Sequence, residues 1–144
     1  MQMWIFYALL AAVFAAGVAV FGKIGMRDID PDLATGARSL VQAGLVVALL
    51  FVTGASRHIG ALTSNKLALT MVLLSGMAGG LSWICGFRAL KLAEISQVGP
   101  LDKLSVPIAV VVSVLFLGDR PSGLNWVGIV LIVSGAFLTA IPRA

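Results

Sequence analysis

The nine residues Gly99-Pro100-Leu101-Asp102-Lys103-Leu104-Ser105-Val106-Pro107 set a carboxylate, an ammonium and a hydroxyl between two prolines, inside an otherwise apolar stretch. Each proline removes a backbone donor and bends a helix, so carbonyls are freed. Within a membrane, broken backbone of this kind is tolerated where it lines a cavity or is buried in protein. Transporters place substrate groups against it. Asp102 and Lys103 are neighbours, about 100° apart around a regular helix, so at least one is expected to meet another helix or a cavity. Counted from Ala93, Asp102 lies about 14 Å along that helix, near the middle of a span. Pro100, Asp102, Lys103 and Ser105 are therefore candidate substrate-binding residues. The competing role for Asp102 and Lys103 is a structural ion pair at one helix end.

Arg38 and Gln42 are four residues apart, hence on one helical face, and are candidates to line the same cavity. The alternative for Arg38 is snorkelling to the headgroups, which is also the favoured role of Arg88. Trp83, about one turn inside Arg88, reads either as an aromatic cavity wall or as an interfacial or packing tryptophan. Trp4, Tyr7 and Trp126 sit near span ends as belt residues, and Tyr7 is kept as a cavity candidate. His58, the single histidine, falls in a connection and reads as solvated. Cys85, the single cysteine, forms no intrachain disulfide and reads as a small buried apolar side chain.

Other chemistry finds no residues to stand on. One cysteine and one histidine make no metal cluster. No carboxylate pair has hydrolytic spacing, no histidine at membrane depth completes a nucleophilic triad, and no glycine-rich phosphate loop is present. An enzyme is the least supported reading, and no cofactor is expected.

The elements that must position these groups follow from composition. Of 144 residues, 60% are hydrophobic and 11% charged, with mean hydropathy +1.07. That charged fraction is about half of what a soluble domain carries, and a fold of this size cannot hide so much apolar surface from water. A soluble enzyme, a disordered chain and a nucleic-acid binder are excluded. The isoelectric point near 9.9 reflects ten scattered cations rather than a basic patch.

A helix needs about 20 apolar residues to span the hydrocarbon core. Uncharged runs cover 1–22, 39–56, 67–87, 104–118 and 121–142. The fourth extends back through Ile95 to Gly99 if Asp102 and Lys103 are accommodated. The sequence predicts an all-α membrane protein, a single domain over 1–144 with five transmembrane helices at about 3–22, 33–54, 67–88, 94–117 and 122–141. Residues 1–22 lack the cations that precede the apolar region of a signal peptide and read as a retained helix. Asp30 or Asp32 is expected to cap the second span, with Pro31 in its first turn. Thr53–His58 closes that span, Leu90–Glu94 joins the third and fourth, and Gly118–Gly123 makes a tight turn before the fifth.

Lys23, Arg27, Arg38, Arg88, Lys91 and Arg143 fall on one side, and Arg57, Lys66 and Arg120 on the other with the amino terminus. The positive-inside rule then favours the amino terminus outside and the carboxyl terminus inside, and insertion both ways stays open. Gly76, Gly79 and Gly80 give the third span a small face, as do Gly128 and Gly135 on the fifth. Such faces serve either packing within the chain or a subunit interface.

Phe87-Arg88-Ala89-Leu90-Lys91, followed by Ala93-Glu94-Ile95-Ser96, resembles the end of the third helix in EamA-type members of the drug/metabolite transporter superfamily. Pro100–Pro107, Leu115–Arg120 and the final NWVGIVLIVSGAFL are similar to the same family. So, more loosely, are Lys23 after the alanine-rich first helix and Arg38 in ATGARSL. The resemblance covers nearly the whole chain, with its specific motifs from residue 83 onward. It implies a five-helix repeat, which larger members carry twice in inverted orientation around a central cavity open to alternate sides. It implies movement of small metabolites, mostly outward. A single repeat would need a second subunit. Asp119 stands where an acidic residue, more often Glu, is typical. The related small multidrug exporters use a glutamate in the first helix. That helix here carries no acid, which leaves Asp102 as the only acid at depth.

The combined expectation is a small-metabolite transporter of the inner cell membrane, multi-pass and dimeric, with a polar cavity bounded by the first four helices. Asp102 and Lys103 would bind polar groups of a zwitterionic or charged metabolite, or Asp102 would carry a coupling proton. Expected partners are the lipid bilayer, a small-molecule substrate, and either a second copy, antiparallel included, or a paralogue in a heteromer. Nucleic acid is not among them. Two alternatives stand beside this reading: a non-transporting subunit that stabilises or regulates a larger complex, and a lipid-linked metabolite flippase.

Overall fold

The structure, a computed structural model, describes residues 3–141, so Arg143 and the amino terminus, both used in the orientation reading, lie outside the described residues. The described chain is helical throughout its regular structure, without strands. Five segments are long and apolar enough to cross a membrane: Met3–Gly25, Pro31–Val52, Lys66–Leu92, Ile95–Leu117 and Gly123–Ala140. These are the five spans that composition predicts.

Helix α1 (Met3–Gly25) runs past Lys23 before it ends. A short connection leads to α2 (Pro31–Val52), whose cap is Asp30 rather than Asp32. The Asp30 carboxylate accepts from the backbone N–H of Asp32 at 2.8 Å and of Leu33 at 3.2 Å. Pro31 occupies the first turn, where its missing N–H costs nothing. Hydroxyls along α2 fold back onto the helix, with Thr35 donating to the Pro31 carbonyl at 2.8 Å and Ser39 to the Thr35 carbonyl at 2.8 Å. These bonds hide polar groups that lipid would not solvate.

After α2 the chain turns at Gly54, whose φ of 73° lies in the left-handed region that glycine enters without strain. The connection is more ordered than a loop. It holds a 3₁₀ turn (Ala55–His58) and a short helix α3 (Ile59–Ser64). Helix α4 (Lys66–Leu92) begins beyond Asn65, whose side chain accepts from the Ala68 N–H at 3.0 Å. It is longer than the apolar run because Arg88 and Lys91 find polar partners at its end, described below.

The fourth span is interrupted. Helix α5 (Ile95–Asp102) contains Pro100, and α6 (Ser105–Val112) contains Pro107. Between them the hydrogen bonds shorten to a three-residue step. The N–H of Lys103 donates to the Pro100 carbonyl at 3.1 Å, Leu104 to Leu101 at 3.0 Å and Val106 to Lys103 at 3.0 Å. Pro107 has no N–H for the Lys103 carbonyl, and Val106 takes that carbonyl instead. The span ends in a π-helical segment (Ser113–Leu117) closed by Gly118 at φ 76°. Ser122 then caps α7 (Gly123–Ala140), accepting from the Asn125 N–H at 3.3 Å.

The chain packs as two units. In Gly22–Lys91, the end of α1, α2 and α4 enclose Met26, Thr35, Phe87 and Leu90, all buried. Gly22 is the glycine that close approach requires here. A Cβ on it would stand 3.0 Å from Cζ of Phe87. In the other unit, the described parts of Met1–Phe21 and Leu92–Ala144, both α5 and α6 pack on α7, and Ala136 is the buried residue.

Elsewhere large apolar side chains stand at the surface, as the bilayer permits. Cys85 is exposed, which corrects the expectation of a buried thiol. Its face of α4 is turned away from Phe87 and Leu90. The small faces of α4 (Gly76, Gly79, Gly80) and α7 (Gly128, Gly135) also stay open. Among the described residues nothing would lie within 4 Å of a Cβ at any of them.

Candidate functional site

The end of α4 is a dense polar junction. Lys91 Nζ donates to the carbonyls of Met26, Arg27 (2.8 Å) and Ile29 (3.3 Å), the connection between α1 and α2. An ammonium has three N–H donors, and three carbonyls use them. Lys23 Nζ donates to the Leu90 carbonyl at 2.5 Å, near the exposed end of α4. Arg88 binds Asp32 in a two-pronged pair, Nε to Oδ1 at 2.8 Å and Nη2 to Oδ2 at 2.5 Å. Arg88 therefore has a carboxylate partner rather than a snorkelling role, and Asp32, released from capping by Asp30, supplies it.

About 10 Å into α2 from Pro31 stands Arg38. Its guanidinium carbon lies 3.9 Å from the centroid of the Trp83 ring and 5.1 Å from that of Phe87. The two rings meet edge to face, 5.7 Å apart at 88°. Arg38 Nη1 donates to Gln42 Oε1 at 3.2 Å, and Nε is buried with no hydrogen-bond partner. The four-residue spacing on α2 thus places Arg38 and Gln42 together. The same spacing on α4, Trp83 to Phe87, builds the aromatic wall. Three candidates from the sequence, Arg38, Gln42 and Trp83, meet in one place, and Phe87 joins them. Its helical spacing from Trp83 was the available signal for it.

The remaining candidates lie in the other unit. Asp102 and Lys103 pair with each other, Oδ2 to Nζ at 3.4 Å, with both side chains more than half exposed. They were expected to diverge. The helix ends between them, so the angle of a regular helix no longer holds them apart. Among the described residues neither one has a hydrogen bond or ion pair to another helix. Ser105 opens α6 and is exposed, and Pro100 is half-buried within α5. Tyr7 is exposed and packs edge to face on Phe6, with ring centroids 5.8 Å apart.

The turn before α7 also forms an open groove of about 530 Å³, which sequence reading treated only as a turn. Ser113, Asp119, Arg120 and Asn125 line its polar end, and Val110, Ile129 and Ile132 its apolar side. The π-helical segment that follows α6 begins at this point with Ser113. Its signal was only the polar Ser113 in an apolar run.

Comparison with known proteins adds the following. The sequence profile described as the EamA-like transporter family matches residues 2–141. The chain is similar to the "Uncharacterized transporter in cobO 3'region" of Sinorhizobium sp, at 41% identity over 140 residues, which cover 97% of this chain and 98% of that protein. It is also similar to the "Uncharacterized transporter YxxF" of Bacillus subtilis (strain 168), at 29% identity over 143 residues. That match covers 96% of this chain and 43% of the relative, so the chain spans less than half of that protein's length. No solved structure is significantly similar to the chain.

Proposed function

The chain belongs to the EamA-like transporter family, and on that premise we propose that it exports a small polar metabolite by alternating access, as one membrane domain working in a dimer. The observation that carries this reading is the meeting of Arg38, Gln42 and Trp83, a charged group at membrane depth set against an aromatic face. Ionisable groups at that depth are costly and are retained where they serve a pathway or site. Arg38, Gln42 and Trp83 bind the substrate in this reading. The exposed Asp102–Lys103 pair, with Pro100 and Ser105 on either side of it, is a second polar element available to substrate or to a coupling proton. Tyr7 adds an aromatic surface.

The dimer reading is supported by the open small faces of α4 and α7, which let a second copy approach closely. It is also supported by the Bacillus subtilis relative, more than twice as long as this chain. The location is a cell membrane. Lys23, Arg27, Arg88 and Lys91 lie at the end of the Gly22–Lys91 unit that faces the cytoplasm by the positive-inside rule.

Comparison of external metabolites between cells expressing the wild type and the Trp83→Ala and Gln42→Ala variants tests the transport reading. One metabolite should accumulate outside with the wild type and fall back with either variant. No difference from cells without the protein refutes export. Asp102→Asn should flatten the pH dependence of transport if Asp102 carries a proton, and an unchanged profile removes it from coupling. Impermeant maleimide labelling of a cysteine placed at Arg57, in a Cys85→Ala background, tests the antiparallel dimer. Labelling of about half the molecules from each side is its expected outcome. Labelling from one side alone leaves a parallel dimer or a heteromer.

A further inference from the structure

Resting on the transport reading above, we infer that the transported metabolite is an anion, held through a carboxylate or phosphate group by Arg38 and Gln42. A guanidinium has five N–H donors and stays charged at any physiological pH. In Arg38 one of them serves Gln42, and Nε is enclosed without an acceptor. Two acids of the same unit are committed elsewhere. Asp30 caps α2 and Asp32 is bound by Arg88. The faces of Trp83 and Phe87 offset part of the charge through their quadrupoles and also fix the plane of the guanidinium. Among the described residues Arg38 has no ion pair.

The open edge decides what fits. The Arg38–Gln42 bond is exposed, so the Nη edge is reachable although Nε is not. Because Gln42 Oε1 accepts from Arg38, the amide nitrogen of Gln42 turns its two donors outward. The neighbouring Ser39 hydroxyl is spent on the Thr35 carbonyl. The free donors of this edge, on Arg38 and on the Gln42 amide nitrogen, thus lie on or beside a fixed positive charge. Carboxylate and phosphate oxygens match that pattern. An ammonium group is repelled by the guanidinium charge. A role in packing alone would ask for an apolar side chain against Trp83, without the cost of a charge.

The test uses the full chain in nanodiscs with Trp4→Phe and Trp126→Phe, so that emission reports Trp83. Succinate and inorganic phosphate are the anionic probes, with ethylammonium and glucose as controls. The anions should shift Trp83 emission saturably and the controls should not. Arg38→Gln should weaken that response by about tenfold or more, and Arg38→Lys should retain part of it. Gln42→Glu supplies Arg38 with an internal carboxylate and should abolish the response, which keeps the test open if Arg38→Gln fails to fold. Absence of a saturable anion response, or an affinity unchanged in Arg38→Gln and Gln42→Glu, overturns the inference. Flux in proteoliposomes separates the two claims. Anion binding without flux upholds the site and refutes transport. Flux of a neutral or cationic solute that survives Arg38→Gln upholds transport and refutes the anion.

Discussion

Two cationic regions share the helices of the Gly22–Lys91 unit and are built on opposite terms. At the end of α4, Arg88 has a carboxylate and Lys91 has three carbonyls. Deeper in the span, Arg38 has two aromatic rings, one amide and an unsatisfied nitrogen. The first region spends its donors on the chain itself and holds the connection between α1 and α2 to α4. The second holds a charge in place and leaves it unmatched. On the proposed reading, this difference separates scaffold from site more sharply than residue type does, since both regions use arginine.

Four perturbations bear on that contrast. The largest effect is expected from Phe87→Ala, because Phe87 packs on Gly22 and walls Arg38 at once. Unfolding in nanodiscs should show a loss of about 3 kcal/mol, the low end for a buried phenylalanine, since lipid weakens the transfer term but not the cavity term. A loss below about 1 kcal/mol would mean the two regions are not coupled through that ring. Gly22→Leu comes next, at about 1–3 kcal/mol by overpacking, and Phe87→Leu should restore part of it.

Arg38→Met and Lys91→Met together sharpen the contrast. Arg38→Met should leave stability within about 1 kcal/mol of wild type, because an unmatched charge contributes little to folding. Lys91→Met should cost about 1 kcal/mol and speed amide exchange at Met26–Ile29, read by mass spectrometry. If Arg38→Met proves the more damaging of the two, Arg38 is scaffold after all. The smallest effect is expected at the exposed Arg88–Asp32 pair. A double-mutant cycle of Arg88→Gln and Asp32→Asn should give a small coupling that shrinks as salt is added.

Much of this was legible in the sequence where the cause is local. The five spans follow from length and composition, and the Arg38–Gln42 neighbourhood follows from helical spacing. The aromatic box was half legible, since Trp83 stood out and Phe87 was visible only as its partner one turn on. Which rings Arg38 would find depends on how α2 meets α4, and no periodicity encodes that. The Arg88–Asp32 pair joins residues 56 apart and required Asp30 to take over the capping role first. The pairing of Asp102 with Lys103 matches the ion-pair alternative that the sequence offers; their divergence would need a regular helix through a segment that the prolines end. Cys85 was misjudged because apolar surroundings in a membrane protein do not imply burial within the chain.

The grip of Lys91 on the α1–α2 connection also bears on how the protein is made. The carbonyls of Met26, Arg27 and Ile29 leave the ribosome 65, 64 and 62 residues ahead of the ammonium that satisfies them. Until α4 arrives, water must occupy those oxygens, because hydrocarbon offers them nothing. The first helical hairpin is therefore tethered to the membrane surface during synthesis and is sealed only when the third span inserts.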